Sequence, residues 1–260
     1  MSVAVPSPTS AGWLERRHRT AGGPPRVALY CFPFAGGSAA YYHAWAEEFR
    51  SDVELVPVQL PGRGTLMSEK PVPSMAVAAD LAAAAIARSP VPAALFGHSM
   101  GAVLAFETAR RLERRGHPVQ HLFVSGRPCP TVVRPPSPVS DLPRERFVDM
   151  LRDYGAAPEE VLGHDELLDV LLPMIRSDFH LIENYRYEPE TGSPPPLSCP
   201  VSAWCGDRDP EVPPELMARW GLETSGRFDL EVLSGGHFFL TEHRTRIVAA
   251  VHELLRGVGR

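Results

Sequence analysis

The segment Gly97-His98-Ser99-Met100-Gly101 restricts this chain more than any other part of it. A short apolar run, Ala93 to Phe96, leads into it, and a helical pattern follows to about Arg115. Apolar runs of that length bounded by turn residues read as buried strands. A strand that turns at once into a helix leaves little room for Cβ atoms, and glycine stands on either side of the serine. Ser99 is then held above a sheet edge in a strained conformation, at a helix N-terminus that favours negative charge. Strands joined through helices lie parallel, so the same unit points to an α/β architecture.

The unit recurs. Val27 to Phe32, Val53 to Val58 and Leu122 to Ser125 read as further strands. Helices are expected from a Ser38 cap to about Arg50, and over Ser74 to Arg88. From Cys129 to Val139 the chain is Pro-rich, and helical stretches follow at Arg144 to Tyr154, Pro158 to Leu162 and Glu166 to Tyr185. A second Pro-rich linker, Gly192 to Pro200, precedes strands at Val201 to Trp204 and Phe228 to Leu233, with helices at Pro213 to Trp220 and Leu240 to Leu255. The expected organisation is a flexible N-terminal arm, 1–25, and one α/β domain, 26–260. That domain has a mostly parallel central sheet, helices on both faces and a helical lid insertion with its linkers over 130–195.

A chain of 260 residues can bury one full core of this kind. Lys and Arg number 26 against 31 Asp and Glu, a net charge of -5, which argues against nucleic acid as a partner. None of Cys31, Cys129, Cys199 and Cys205 has a zinc-type spacing, so no metal is expected and free thiols in a reducing cytoplasm are. No apolar stretch followed by a cleavage site is seen near the N-terminus, and no apolar run approaches the roughly 18 residues of a membrane span.

A serine hydroxyl attacks only when a base takes its proton. The setting of Ser99 is similar to the nucleophile elbow of α/β-hydrolases, in which an acid and then a histidine follow the serine along the chain. Gly206-Asp207-Arg208-Asp209-Pro210 follows one late strand and Gly235-Gly236-His237 follows the next, both leaving the sheet edge that carries Ser99. His237 is the expected base. Asp207 and Asp209 are both candidates for the acid, and the resemblance favours Asp209, three residues after the loop glycine. His98 reads as packing beside the elbow, and His243 as part of a solvated helix face. An oxyanion needs two backbone amides. Met100 is expected to give one and the Phe32-Pro33-Phe34-Ala35-Gly36-Gly37 loop the other, at Ala35 with Phe34 as the alternative.

These segments, with Leu60-Pro61-Gly62-Arg63-Gly64 and Gly235-Gly236-His237-Phe238-Phe239, occur together in an order that resembles the type II thioesterases of modular polyketide synthases and nonribosomal peptide synthetases. The likeness runs from about Arg26 to the end and includes Arg176-Ser177-Asp178-Phe179 to Tyr185, which resembles that family's lid. It implies an α/β-hydrolase fold and a cytoplasmic, monomeric enzyme without a cofactor. It implies hydrolysis of stalled or aberrant acyl groups from the phosphopantetheine arm of acyl carrier protein domains. A chain-releasing thioesterase, or a carboxylesterase or lipase of the same fold, is the alternative, and a hydrolase-fold scaffold without activity is a more distant one. Arg110, Arg111, Arg114 and Arg115 read as a solvated helix face or, with Arg16, Arg17 and Arg19 of the arm, as a docking surface for an acidic carrier protein. Leu167, Leu171, Met174 and Phe179 fit either a lid face over the pocket or the lid's own packing.

Overall fold

Six apolar stretches pair into one sheet in the computed structural model, which describes residues 12–15, 24–49, 52–132, 138–157, 159–188 and 197–257. The strands are β1 (Val27–Phe32), β2 (Val53–Pro57), β3 (Ala93–His98), β4 (Val119–Ser125), β5 (Val201–Gly206) and β6 (Phe228–Leu233). Their order is β2-β1-β3-β4-β5-β6, and every neighbouring pair is parallel. All residues of β1, β3 and β5 are buried, as a parallel sheet covered on both faces requires. Strand order reverses between β1 and β3, and ligands bind at such a point, beyond the C-terminal strand ends. The Phe32–Gly37 loop and the Ser99 turn both leave there, with Phe32 paired beside Gly97.

The helices are α1 (His43–Ala46), α2 (Met75–Ile86), α3 (Met100–Arg114), α4 (Arg144–Asp153), α5 (Glu159–Leu162), α6 (Asp165–Glu183), α7 (Pro214–Met217), α8 (Phe239–Glu242) and α9 (Arg244–Leu255). One face of the sheet is covered by α2 and α3, where Ala78, Ala79, Ala82 and Ala83 share a core with Val103 and Phe106. On the opposite face Trp45, Ile247 and Val251 pack with Phe96 and Phe123. Ser74 caps α2 by accepting the Val77 amide at 3.2 Å. The lid helices α4, α5 and α6 have a small core of their own, built on Phe147, Leu151, Leu162, Leu168 and Leu172.

Four expectations need correction. Residues 12–15 are not a flexible arm. Trp13 is fully buried and Leu14 bridges antiparallel to Val58. The Glu15 amide donates to the Pro57 carbonyl at 3.0 Å and the Gln59 amide to the Trp13 carbonyl at 2.7 Å. Burial of the large indole holds this stretch on the edge of β2. The rest of the arm up to residue 23 lies outside the described residues, with Arg16, Arg17 and Arg19. Second, Ser38 caps no long helix. A 3-10 turn, Ala39–Tyr42, precedes α1, and the Ala39 amide donates instead to Gln59 Oε1 at 2.9 Å. Tyr42 and Trp45 are thereby both buried, the Tyr42 hydroxyl reaching the Phe32 carbonyl at 2.8 Å. Third, the last helix is broken at His243, whose Nε2 lies 2.8 Å from the Ser234 carbonyl oxygen, so His243 is not simply a solvated helix position. Fourth, Leu167 points to solvent at 38% exposure, and Met174 packs near Gly62. Of the apolar lid residues named from sequence, Phe179 lines the pocket.

Candidate active site

Three backbone segments meet at the turn after β3. A Cβ on Gly97 would stand 2.0 Å from the Gly101 carbonyl oxygen, and one on Gly101 would stand 2.4 Å from the Phe32 carbonyl oxygen. Both positions therefore exclude every other residue. Among the described residues Ser99 is the single non-glycine with positive φ, at 53° with ψ -119°. Backbone held in such a conformation costs on the order of 1–3 kcal/mol and persists where the surroundings enforce it. The turn lifts the hydroxyl off the sheet edge at the start of α3.

The loops after β5 and β6 are stitched to each other. A Cβ on Gly206 would meet the Gly235 carbonyl oxygen at 2.4 Å. The Asp207 amide donates to the Leu233 carbonyl at 2.8 Å, and the Gly235 amide donates to Asp207 Oδ1 at 2.8 Å. Asp207 is thus a loop fastener. Asp209, two residues on, is buried and its Oδ2 lies 2.7 Å from His237 Nδ1, while Oδ1 accepts the Glu211 amide at 3.0 Å. His237 Nε2 lies 3.0 Å from Ser99 Oγ. The three side chains form one hydrogen-bonded row. An imidazole held in this way can take a proton from the hydroxyl while the carboxylate stabilises the resulting imidazolium.

His98 fits its expected packing place. It is fully buried, with Nδ1 3.0 Å from Ser125 Oγ and its ring 5.0 Å from that of His237. Burial, with His237 as a lesser cause, holds its pKa well below the ordinary histidine value. The neighbour of His237 is therefore neutral and adds no competing positive charge.

Ala35 and Met100 both line the pocket beside Ser99, and neither amide has a hydrogen-bond partner among the described residues. The Phe34 carbonyl accepts the Gly37 amide at 2.8 Å. A trans peptide sends its N–H opposite to its C=O, so this turn directs the Ala35 amide away from Gly37. The pocket holds about 640 Å³. Val103, Cys129 and Val132 form part of its apolar wall, and the lid contributes Tyr154, Phe179 and Ile182.

Sequence reasoning missed two features of this site. The Tyr154 ring stands edge-on to His237 at 5.4 Å and its hydroxyl donates to Glu211, so the lid reaches the histidine. Its only signal was a place at the end of a lid helix. The second is a buried ion pair between Arg63 of the loop after β2 and Asp178 of α6, in two bonds of 2.6 Å. The two residues are 115 positions apart, and no local pattern joins them. The arginine cluster, by contrast, is not a free docking face. Arg110 pairs with Glu107 at 3.0 Å and lies over the Tyr187 ring at 4.9 Å. Arg111 pairs with Glu107 at 2.5 Å and with Asp80 at 2.9 Å, and Arg115 reaches Asp80 at 3.5 Å. A carboxylate as buried as that of Glu107 needs these partners.

All four cysteines are buried free thiols. Among the described residues no cluster of His, Cys, Asp and Glu could hold a metal ion, and no helix is long and apolar enough to cross a membrane.

Residues 27–255 match the family model described as a thioesterase domain. A probable cadicidin biosynthesis thioesterase of Streptomyces griseus is 37% identical over 255 residues, covering 96% of this chain and 69% of that protein. The type II thioesterase BorB from the borrelidin biosynthetic cluster superposes with a TM-score of 0.85 at 39% identity, covering 94% of this chain and 97% of its own. RedJ, a thioesterase of the prodiginine pathway in Streptomyces coelicolor, gives a TM-score of 0.81 at 36% identity, with 98% and 97% covered. The chain belongs to the thioesterase family, as a thioester hydrolase with the α/β-hydrolase type of fold, and it is similar to type II thioesterases of polyketide and nonribosomal peptide biosynthesis.

Proposed function

We propose that the chain hydrolyses aberrant or stalled acyl groups held as thioesters on the phosphopantetheine arm of acyl or peptidyl carrier proteins, and so edits a polyketide or nonribosomal peptide assembly line. Ser99 is the nucleophile, His237 the general base and then acid, and Asp209 the carboxylate that orients His237. The row Asp209–His237–Ser99, whose serine and histidine line a lidded pocket, supports the mechanism, and the match of residues 27–255 to the thioesterase family supports the thioester as substrate.

In the first step the Ser99 oxygen bonds to the thioester carbonyl carbon as His237 Nε2 takes the hydroxyl proton. The Ala35 and Met100 amides donate to the oxyanion. Collapse breaks the carbon–sulfur bond. A thiol with a pKa near 8.5 leaves with little help, and the proton on His237 is available to it. Water then attacks acyl-Ser99, with His237 as base, and the free acid departs. Side chains and backbone amides perform each step, so the reaction has no cofactor, and phosphopantetheine arrives with the substrate. All five groups come from one chain, so the site needs no second subunit to complete it. Four buried thiols support a reducing cytoplasm as its place.

Initial rates on acyl-carrier protein, acyl-coenzyme A and a simple oxygen ester, with Ser99→Ala as blank, test the reading. Preference for the carrier-bound thioester is the expected result. Preference for the oxygen ester points to the carboxylesterase alternative, and full activity in Ser99→Ala rejects the mechanism.

A further inference from the structure

Within the Phe32–Gly37 loop one bond, from the Gly37 amide to the Phe34 carbonyl, directs the Ala35 amide, and the two glycines behind that bond are held from outside the loop. Gly36 and Gly37 follow Ala35, and Gly36 takes a φ of +79°, where glycine has no steric preference of its own to hold it. The ties come from two distant parts of the chain. Asp178 Oδ2 accepts the Gly36 amide at 2.8 Å, and Arg63 Nη1 donates to the Gly37 carbonyl at 2.8 Å. Arg63 and Asp178 are themselves joined through both terminal guanidinium nitrogens, Nη1 and Nη2, with side chains 4% and 1% exposed. The Arg63 carbonyl is in turn fixed by Gln59 Nε2 at 2.7 Å, and Gln59 Oε1 holds the Ala39 amide beyond the loop.

We propose that Arg63 and Asp178 are positioning residues for the oxyanion loop, and that through them the lid helix α6 sets the direction of the Ala35 amide. The inference rests on the thioesterase mechanism above and adds to it a dependence on α6. Burying two charges is costly, and apolar residues of similar volume often replace such a pair without loss of stability. Stability alone therefore does not call for this pair. What it does provide is a planar fork and a carboxylate that together anchor two consecutive glycines from outside. Removal of Asp178 frees the Gly36–Gly37 turn and with it the Phe34–Ala35 peptide plane. Asp178 lies on α6, so the oxyanion loop is complete only while that helix is seated. Entry of the acyl group then falls to movement of other parts of the lid.

The test compares wild type with Asp178→Asn and with the double apolar variant Arg63→Met/Asp178→Leu, which removes both charges together and keeps the test open if the single variant folds poorly. Active sites are counted by exhaustive titration with a fluorophosphonate, and turnover of a small acyl thioester is expressed per titrated site. The expected result is a fall in kcat of at least 30-fold with KM within threefold. Affinity for an acyl trifluoromethyl ketone, which forms an oxyanion on Ser99, should fall by a similar factor, while affinity for the product acid stays unchanged. Wild-type kcat per titrated site in the double variant overturns the proposal, as does an equal loss of affinity for the ketone and the acid. Failure of the underlying mechanism looks different: wild type itself would lack Ser99-dependent thioester turnover.

Discussion

At the scale of single residues, crowding and hydrogen bonding separate roles that look alike along the chain. Asp207 and Asp209 are two residues apart, but one fastens two loops and the other meets His237. Asp209→Asn should lower kcat by roughly 10³–10⁴-fold, because the imidazole loses the partner that sets its tautomer. Asp207→Asn should cost less than about tenfold. Steady-state kinetics of the two variants checks the assignment, and reversed magnitudes would transfer the acid to Asp207. Gly101→Ala should destabilise the fold by about 3 kcal/mol or more, since its Cβ would press on the carbonyl oxygens of Phe32 and Pro33, which are backbone atoms. A denaturant midpoint unchanged from wild type would show that the three segments are less tightly bound together than described. Ser99 and His237 were legible because each sits in a glycine-bearing turn directly after an apolar strand. Asp209 was legible only by resemblance, since either aspartate could serve a loop of that composition. The Arg63–Asp178 pair was not legible, because the two residues lie 115 positions apart and nothing in either segment points to the other.

At the scale of elements, period and apolar content found the six strands, while packing decided what they did not specify. The turn after β1 became 3-10 rather than a long helix because Tyr42 and Trp45 are both buried there. Trp13 likewise fixes residues 12–15 on the sheet edge, a tertiary effect that Ser- and Pro-rich composition conceals. The lid has a core of its own, although Leu181 and Ile182 of α6 join the main one. Phe147 is fully buried, meets Phe179 edge-on at 5.4 Å and carries Arg176 over its ring at 4.3 Å. Phe147→Ala should cost the lid core about 3–5 kcal/mol. Hydrogen exchange should then show lost amide protection in α4 and α6 and retained protection in β1 and β3. Uniform loss across the molecule would mean that lid and sheet unfold as one unit.

At the scale of the whole molecule, two buried neutral histidines link stability to pH. His98 has its pKa held well below the ordinary value by burial, and His121, stacked on Phe123 and bonded to Ser202, is lowered to about 4, chiefly by burial. In the unfolded chain both take up protons near pH 6.5. Below that value the unfolded state binds more protons than the folded state, so stability is fully present above about pH 6.5 and declines as the pH falls. For His121 the decline runs to about pH 4 and amounts to on the order of 3 kcal/mol. Thermal unfolding between pH 7.5 and 4.5 should show a shallower loss in His121→Gln than in wild type, and identical slopes would remove His121 from this account. The sheet, the stitched loops and the lid all converge on one hydroxyl, and the central claim is that this hydroxyl carries the acyl group. Incubation with an acylated carrier protein, rapid acid quench and peptide mapping by mass spectrometry tests it most directly. The account predicts the acyl mass on Ser99 alone, lost as free acid forms and never formed in Ser99→Ala; an acyl group on any other residue, or turnover that persists without Ser99, would contradict it.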